Sequence, residues 1–211
     1  MRHESGIREF PIWLLGGTEE IKWDNIEPGL EIDSGPPPVL SMWNPVISRI
    51  QNIIFKRIKK RIDELQIHIR NAIKDINYFP NPVNKIWTPY LYNLLGEFRN
   101  LIEKHKPIIL ITFGAFPFEF ARRAVNEEET HPWDYWSSKR LGEEFRTRLD
   151  DFSADRTNVI PLLYETSHNG TFQIKRSSFC GDEKIDYPDY AAELIAEIIL
   201  KFQKKLNIWT Q

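Results

Sequence analysis

A chain of 211 residues with a single cysteine, Cys180, excludes an internal disulfide and a cysteine-built metal cage, and fits a reducing cytoplasm. Its 28 basic and 30 acidic side chains leave a formal charge of −2, so any affinity for nucleic acid or membrane must come from local clusters. Seven Trp and thirteen Phe are ample for one core, while no signal-peptide pattern and no long apolar run is present, which predicts one soluble domain over 1–211.

Phe10 to Leu15 (FPIWLL) is a short apolar run closed by Gly16-Gly17, the pattern of a first buried strand opening onto a loop with Thr18, Glu19 and Glu20. Residues 26–45 are rich in Pro, Gly and Asp, including Pro36-Pro37-Pro38, and predict irregular covering structure. From about 46 to 76, Ile47, Ile50, Ile54, Ile58, Ile62, Leu65, Ile69, Ile73 and Ile76 step by three or four. That spacing predicts a long helix of about 45 Å. Its polar side carries Lys56, Arg57, Lys59, Lys60 and Arg61, either a solvated face or a surface that tracks phosphates. Val83 to Thr88 has the composition of a short strand, and Pro89 opens a helix through Leu91, Leu94, Leu95, Phe98 and Leu101.

Lys106 to Ala124 (KPIILITFGAFPFEFARRA) is the most informative stretch. Ile108 to Thr112 is nearly unbroken and apolar, as in a parallel strand buried on both faces. After Gly114 the period becomes helical, with Phe116, Phe120 and Ala124 on one side and Glu119, Arg122 and Arg123 on the other. Beyond it come an exposed acidic turn, Glu127 to Glu129, an aromatic loop, His131 to Tyr135, and an amphipathic helix, Ser138 to Leu149. Asn158 to Tyr164 (NVIPLLY) predicts the last buried strand. A long loop turning at Gly170 leads to about Tyr187, and Tyr190 to Leu206 predicts a final helix.

With right-handed crossovers, this order predicts a three-layer α/β/α fold around a short, mostly parallel four-stranded sheet. Ligands of such folds bind outside the carboxyl ends of the strands, beside free backbone N–H groups and a positive helix end. Loops leaving Leu15, Phe113 and Leu163 meet there. The first supplies Glu19, a carboxylate able to orient water, and the last supplies His168, an imidazole able to hydrogen-bond a developing anion. His68 and His105 fall on helices and read as structural. Lys175 and Arg176, interleaved with Phe172 and Phe179, suit either a nucleic-acid strand or a loop folded onto its own domain. No Gly-x-Ser-x-Gly elbow, dinucleotide fingerprint, phosphate-binding loop or metal-ligand spacing is present, so no metal and no cofactor is expected.

FPIWLLGGTEE, ILITFGAFPFEFARRA and NVIPLLYETSHNGTF, in that order, resemble the first-strand loop, middle strand–helix unit and last-strand loop of the uracil-DNA glycosylase superfamily. The later FQIKRSSFCG and the terminal helix resemble that family's end. The glycine-initiated loop here continues as Thr18-Glu19-Glu20 without the family's proline, and its His-Pro-Ser motif is absent. The resemblance implies a DNA-repair glycosylase, an N-glycosyl hydrolase excising uracil or a related damaged base by water attack at the deoxyribose anomeric carbon. Its partner would be DNA, including single-stranded DNA, or a nucleobase-containing ligand. Glu19 would hold the water or balance the sugar's positive charge, and His168 would stabilise the departing base. Either Tyr164 or His168 stands in the family histidine's place. Gly16, Gly17, Thr18, Phe113 and Asn169 would contact substrate, with Asn44, Asn84 or Asn93 reading the base and Trp13, Phe113 or Phe116 lining its pocket. Lys175, Arg176, Lys59 and Lys60 would meet DNA. Two other readings share the fold: a non-catalytic module binding a nucleotide, modified base or nucleic acid, and a flavodoxin-like domain binding small phosphorylated molecules.

Overall fold

The structure of the chain, a computed structural model, describes residues 4–17, 39–73, 87–164 and 170–210, without the side chains of 39–45 and 170–173. At its centre is a five-stranded sheet ordered β1-β3-β2-β4-β5. The strands are β1 (Glu4–Ser5), β2 (Ile12–Gly16), β3 (His68–Asn71), β4 (Ile109–Phe113) and β5 (Asn158–Leu162). The last four run parallel, with Gly16 opposite Asn71, Leu15 opposite Thr112 and Phe113 opposite Leu162. Every residue of these four is buried, as the unbroken apolar runs of β2, β4 and β5 require. β1 adds an antiparallel edge to β3.

Among the described residues six helices flank the sheet: α1 (Val39–Ile58), α2 (Pro89–His105), α3 (Ala115–Ala124), α4 (Ser138–Asp150), α5 (Gly170–Cys180) and α6 (Tyr187–Lys201). The crossover from β2 to β3 moves one way along the sheet, and those from β3 to β4 and from β4 to β5 move the other. Right-handedness therefore puts α1 on one face and α2 and α3 on the opposite face. Accordingly, Phe98 of α2 lies 6.3 Å from the Trp13 ring of β2 and stacks on Phe120 of α3 at 5.7 Å. α6 returns beside α1, with Arg49–Asp189 and Arg57–Glu193 pairs along the seam. The result is the three-layer α/β/α fold. No helix among the described residues is long and apolar enough to cross a membrane.

The expected helix over 46–76 is instead α1, a turn and β3. α1 begins at Val39, inside the stretch expected to be irregular, and carries Pro45 in its second turn. It ends where Lys59 adopts a left-handed backbone, φ 58°. Buried Gln51 then captures the returning chain as a strand neighbour would: its amide donates to the Ile62 carbonyl at 2.7 Å and accepts from the Ile62 N–H at 2.8 Å. His68 therefore sits on a strand, and the parallel strand after α1 is His68–Asn71. Of the expected strand Val83 to Thr88, residues 83–86 lie outside the described residues, and Trp87 and Thr88 lead into α2, where Thr88 Oγ1 accepts from the Leu91 N–H.

The loop expected from 171 to 187 contains α5. Its end is fixed by Phe179, fully buried between Phe145 and Tyr187, and by Arg146 donating to the Phe179 carbonyl. Gly142 of α4 permits this approach, since a Cβ there would lie 2.0 Å from the Phe179 carbonyl oxygen. The final helix begins at Tyr187 and ends at Lys201, earlier at both ends than expected.

Candidate functional site at the carboxyl edge

Strand order reverses between β2 and β4, because the chain leaves β2 toward β3 and later returns to its other side. Open parallel sheets leave a crevice at that point, outside the carboxyl ends. Gly16 and buried Gly17 form its first wall, held to the chain after β3 by Ala72 donating to the Gly16 carbonyl and Ile73 to that of Gly17, at 2.9 and 3.1 Å. The second wall is Phe113, at the end of β4, and Gly114, the N-cap of α3. Gly114 has φ 88° and donates to the Leu162 carbonyl at 2.8 Å, so the turn from β4 into α3 is tied to the end of β5. A glycine cap offers no side-chain acceptor to the first-turn N–H groups, and the positive end of α3 points at this edge. Half-buried Tyr164 follows β5 and packs over Gly114.

Rings extend the edge toward the start of α2. Trp87 stacks on Phe116 at 5.9 Å and on Phe120 at 6.2 Å, with the Arg123 guanidinium 4.1 Å from the Trp87 ring centre. The Trp87 indole N–H is enclosed with no acceptor among the described residues.

Behind this edge α3 is anchored by a buried carboxylate. Glu119, expected on a polar helix face, is 0% exposed. It accepts from Arg123 Nε, the His131 N–H and Trp136 Nε1, each at 2.8 Å, and from Arg122 Nη1 at 3.2 Å. Arg122 is buried too. Four donors on one carboxylate offset its desolvation and fasten the returning chain to α3. Glu127, expected in an exposed acidic turn, is partly buried and accepts from Arg148 Nη1 at 2.7 Å, Arg148 Nη2 at 2.9 Å and Arg122 Nε at 2.6 Å. Burial pushes its carboxyl up, but the Arg148 hydrogen bonds and the two guanidinium charges outweigh burial and hold it below the usual range.

Of the residues singled out from the sequence, Gly16, Gly17, Phe113 and Tyr164 share this edge. Thr18, Glu19, His168, Asn169 and Asn84 lie outside the described residues. Asn44 is in the second turn of α1, and Asn93 is exposed on α2. Trp13 does not reach the edge: it is fully buried in the amino half of β2, edge-on to His68 at 4.6 Å. Lys175 and Arg176 lie on α5. Phe179 is unavailable for stacking because it fills the core. Lys59 and Lys60 follow the end of α1, at the opposite, amino edge. Sequence reading missed Trp87 and Ile174. The latter is 68% exposed next to Lys175, an apolar side chain in a segment that lacks helical amphipathicity.

A cavity of about 550 Å³ lies at the amino edge, lined by Lys106, Asn126, Arg148, Arg156 and Asn158 among others. Its guanidinium groups are engaged by Glu127, Glu144 and Asp151. Among the described residues no group of three or more His, Cys, Asp or Glu is placed to hold a metal ion. No protein-family model matches the chain, and no curated protein matches its sequence.

Proposed function

We propose that the carboxyl edge is a base-excision site of the uracil-DNA glycosylase kind, acting on uracil or a related damaged base in DNA. The observation carrying this reading is the contiguous parallel run β2-β4-β5, whose ends at Gly17, Gly114 and Tyr164 leave from one edge. Glu19 is the second residue after Gly17, and His168 the fourth after Tyr164. Covalent connection thus tethers the carboxylate and the imidazole to the two strands that flank the start of α3.

A base inside a duplex is inaccessible, so the target is single-stranded or flipped, and Tyr164 is the ring at hand for it to meet. Glu19 orients a water molecule and takes its proton as the water oxygen bonds to the anomeric carbon. The bond from that carbon to the base nitrogen breaks, its electron pair leaves with the base, and His168 hydrogen-bonds the resulting anion. Exposed Ile174 and Lys175, on the helix directly after the His168 loop, supply an apolar and a cationic contact for the strand.

The test is alkaline cleavage of a uracil-containing single strand treated with purified protein. Strand scission is expected, with Glu19→Gln lowering the rate about 100-fold or more, the usual weight of a positioned base. The missing proline after Gly17 favours one second reading, a module that binds the base without excising it. An intact oligonucleotide together with a uracil-dependent rise in melting temperature would select that module and overturn excision.

A further inference from the structure

The end of α1 carries a cluster of cations that the carboxyl-edge site does not use. Lys56, Lys59, Lys60 and Arg61 are all exposed, and no carboxylate pairs with any of them among the described residues. By contrast, Arg49 and Arg57 of the same helix are tied to Asp189 and Glu193. The fold brings rings into the cluster. After the left-handed turn at Lys59 the chain pairs with the carboxyl-terminal segment through an Ile62–Trp209 bridge. Lys59 Nζ then sits 5.4 Å and the Arg61 guanidinium 4.7 Å from the centre of the Phe55 ring, and Lys60 Nζ 5.6 Å from that of Trp209. Phe55 remains 39% exposed.

We propose that this surface binds single-stranded nucleic acid. Four uncompensated cations in a chain of net charge −2 form a local field that attracts a polyanion. The rings among those cations, exposed Phe55 and half-buried Trp209, are what bases stack on, whereas the carboxylates of an acidic peptide have no use for them. A duplex hides its base faces, so the match is to a single strand. The three cations beside Phe55 and Trp209 alternate charge with π surface. The surface lies on the amino edge, away from the carboxyl-edge site, and its binding does not require that site to be active.

Fluorescence anisotropy of a labelled 20-nucleotide oligo(dT), titrated across salt concentrations, tests this. Wild-type protein is expected to bind it. The variant Lys59→Gln/Lys60→Gln/Arg61→Gln is expected to bind at least tenfold more weakly, with the slope of log affinity against log salt flattened by about 2 for three lost phosphate contacts. The melting temperature of the variant reports that its fold is intact, and Lys139→Gln, at an exposed cation outside the cluster, is expected to bind as wild type does. Oligo(dT) contains no uracil, so its binding is read independently of excision at the carboxyl edge. Equal oligonucleotide affinity of wild type and triple variant overturns the proposal. So does cation-dependent binding to phosphatidylserine vesicles or poly-glutamate with none to oligo(dT).

Discussion

Gly114 and Tyr164 meet so closely that a Cβ added to Gly114 would lie 3.0 Å from the Tyr164 Cβ. The start of α3 and the end of β5 are thereby one structural unit, and a change at either is felt at the other.

Gly114→Ala is expected to strain the backbone twice, through a left-handed φ of 88° and through that contact. A stability loss of about 1–3 kcal/mol follows, measured by urea unfolding. Gly96, in the middle of α2 with nothing within 4 Å of an added Cβ, is the control, and Gly96→Ala is expected to be neutral or stabilising.

Glu119→Ala leaves the Arg122 and Arg123 guanidinium groups and the Trp136 indole N–H without their shared acceptor. Removing one partner of a buried ionic network costs about 3–5 kcal/mol. Thermal unfolding is expected to show a loss of that size, and near-ultraviolet circular dichroism a loosening around Trp136. Retention of wild-type stability would mean that the network does not hold α3.

His68 gives the fold a pH dependence. It is 1% exposed and faces Glu4, Arg8, Arg70 and the Ser5 backbone, with Trp13 edge-on. Burial is the main reason its pKa falls from 6.5 to about 4, and Arg70 and Arg8 act in the same direction against Glu4. Between those values the unfolded chain binds a proton that the folded chain refuses, so stability rises with pH across that window and is lost as pH falls through it. The full effect is about 3 kcal/mol. In denaturant titrations at pH 4.5 and 7.5, His68→Phe is expected to show a markedly smaller difference than wild type.

What the sequence disclosed follows from burial. β2, β4 and β5 are buried on both faces, so their apolar runs were legible, and Pro89 and Gly114 marked helix starts by their own chemistry. β3 was not legible. Ile69 and Ile73 are four apart, which is one helical step and equally two strand steps, and the polar residues His68, Arg70 and Asn71 are buried rather than solvated. Leu65, counted toward the helix, is 90% exposed. Glu119 and Arg122 resembled a solvated face because their partners, His131 and Trp136 among them, are supplied from beyond the helix. For the site, the strand ends at Gly17 and Gly114 were visible as glycines closing apolar runs. The clamp of Trp87 on Phe116 was not, since no spacing in the chain links the start of α2 to α3.

The central claim is that a nucleobase binds where β2, β4 and β5 end. Backbone amide chemical shifts of isotopically labelled protein, followed while uracil and then 2′-deoxyuridine are added, test it most directly. The account predicts saturable shifts at Gly17, Gly114, Ala115 and Tyr164, with Asn126, Thr147 and Asn158 unmoved. Shifts confined to those last three, around the amino-edge cavity, or no saturable shift at any amide, would contradict it.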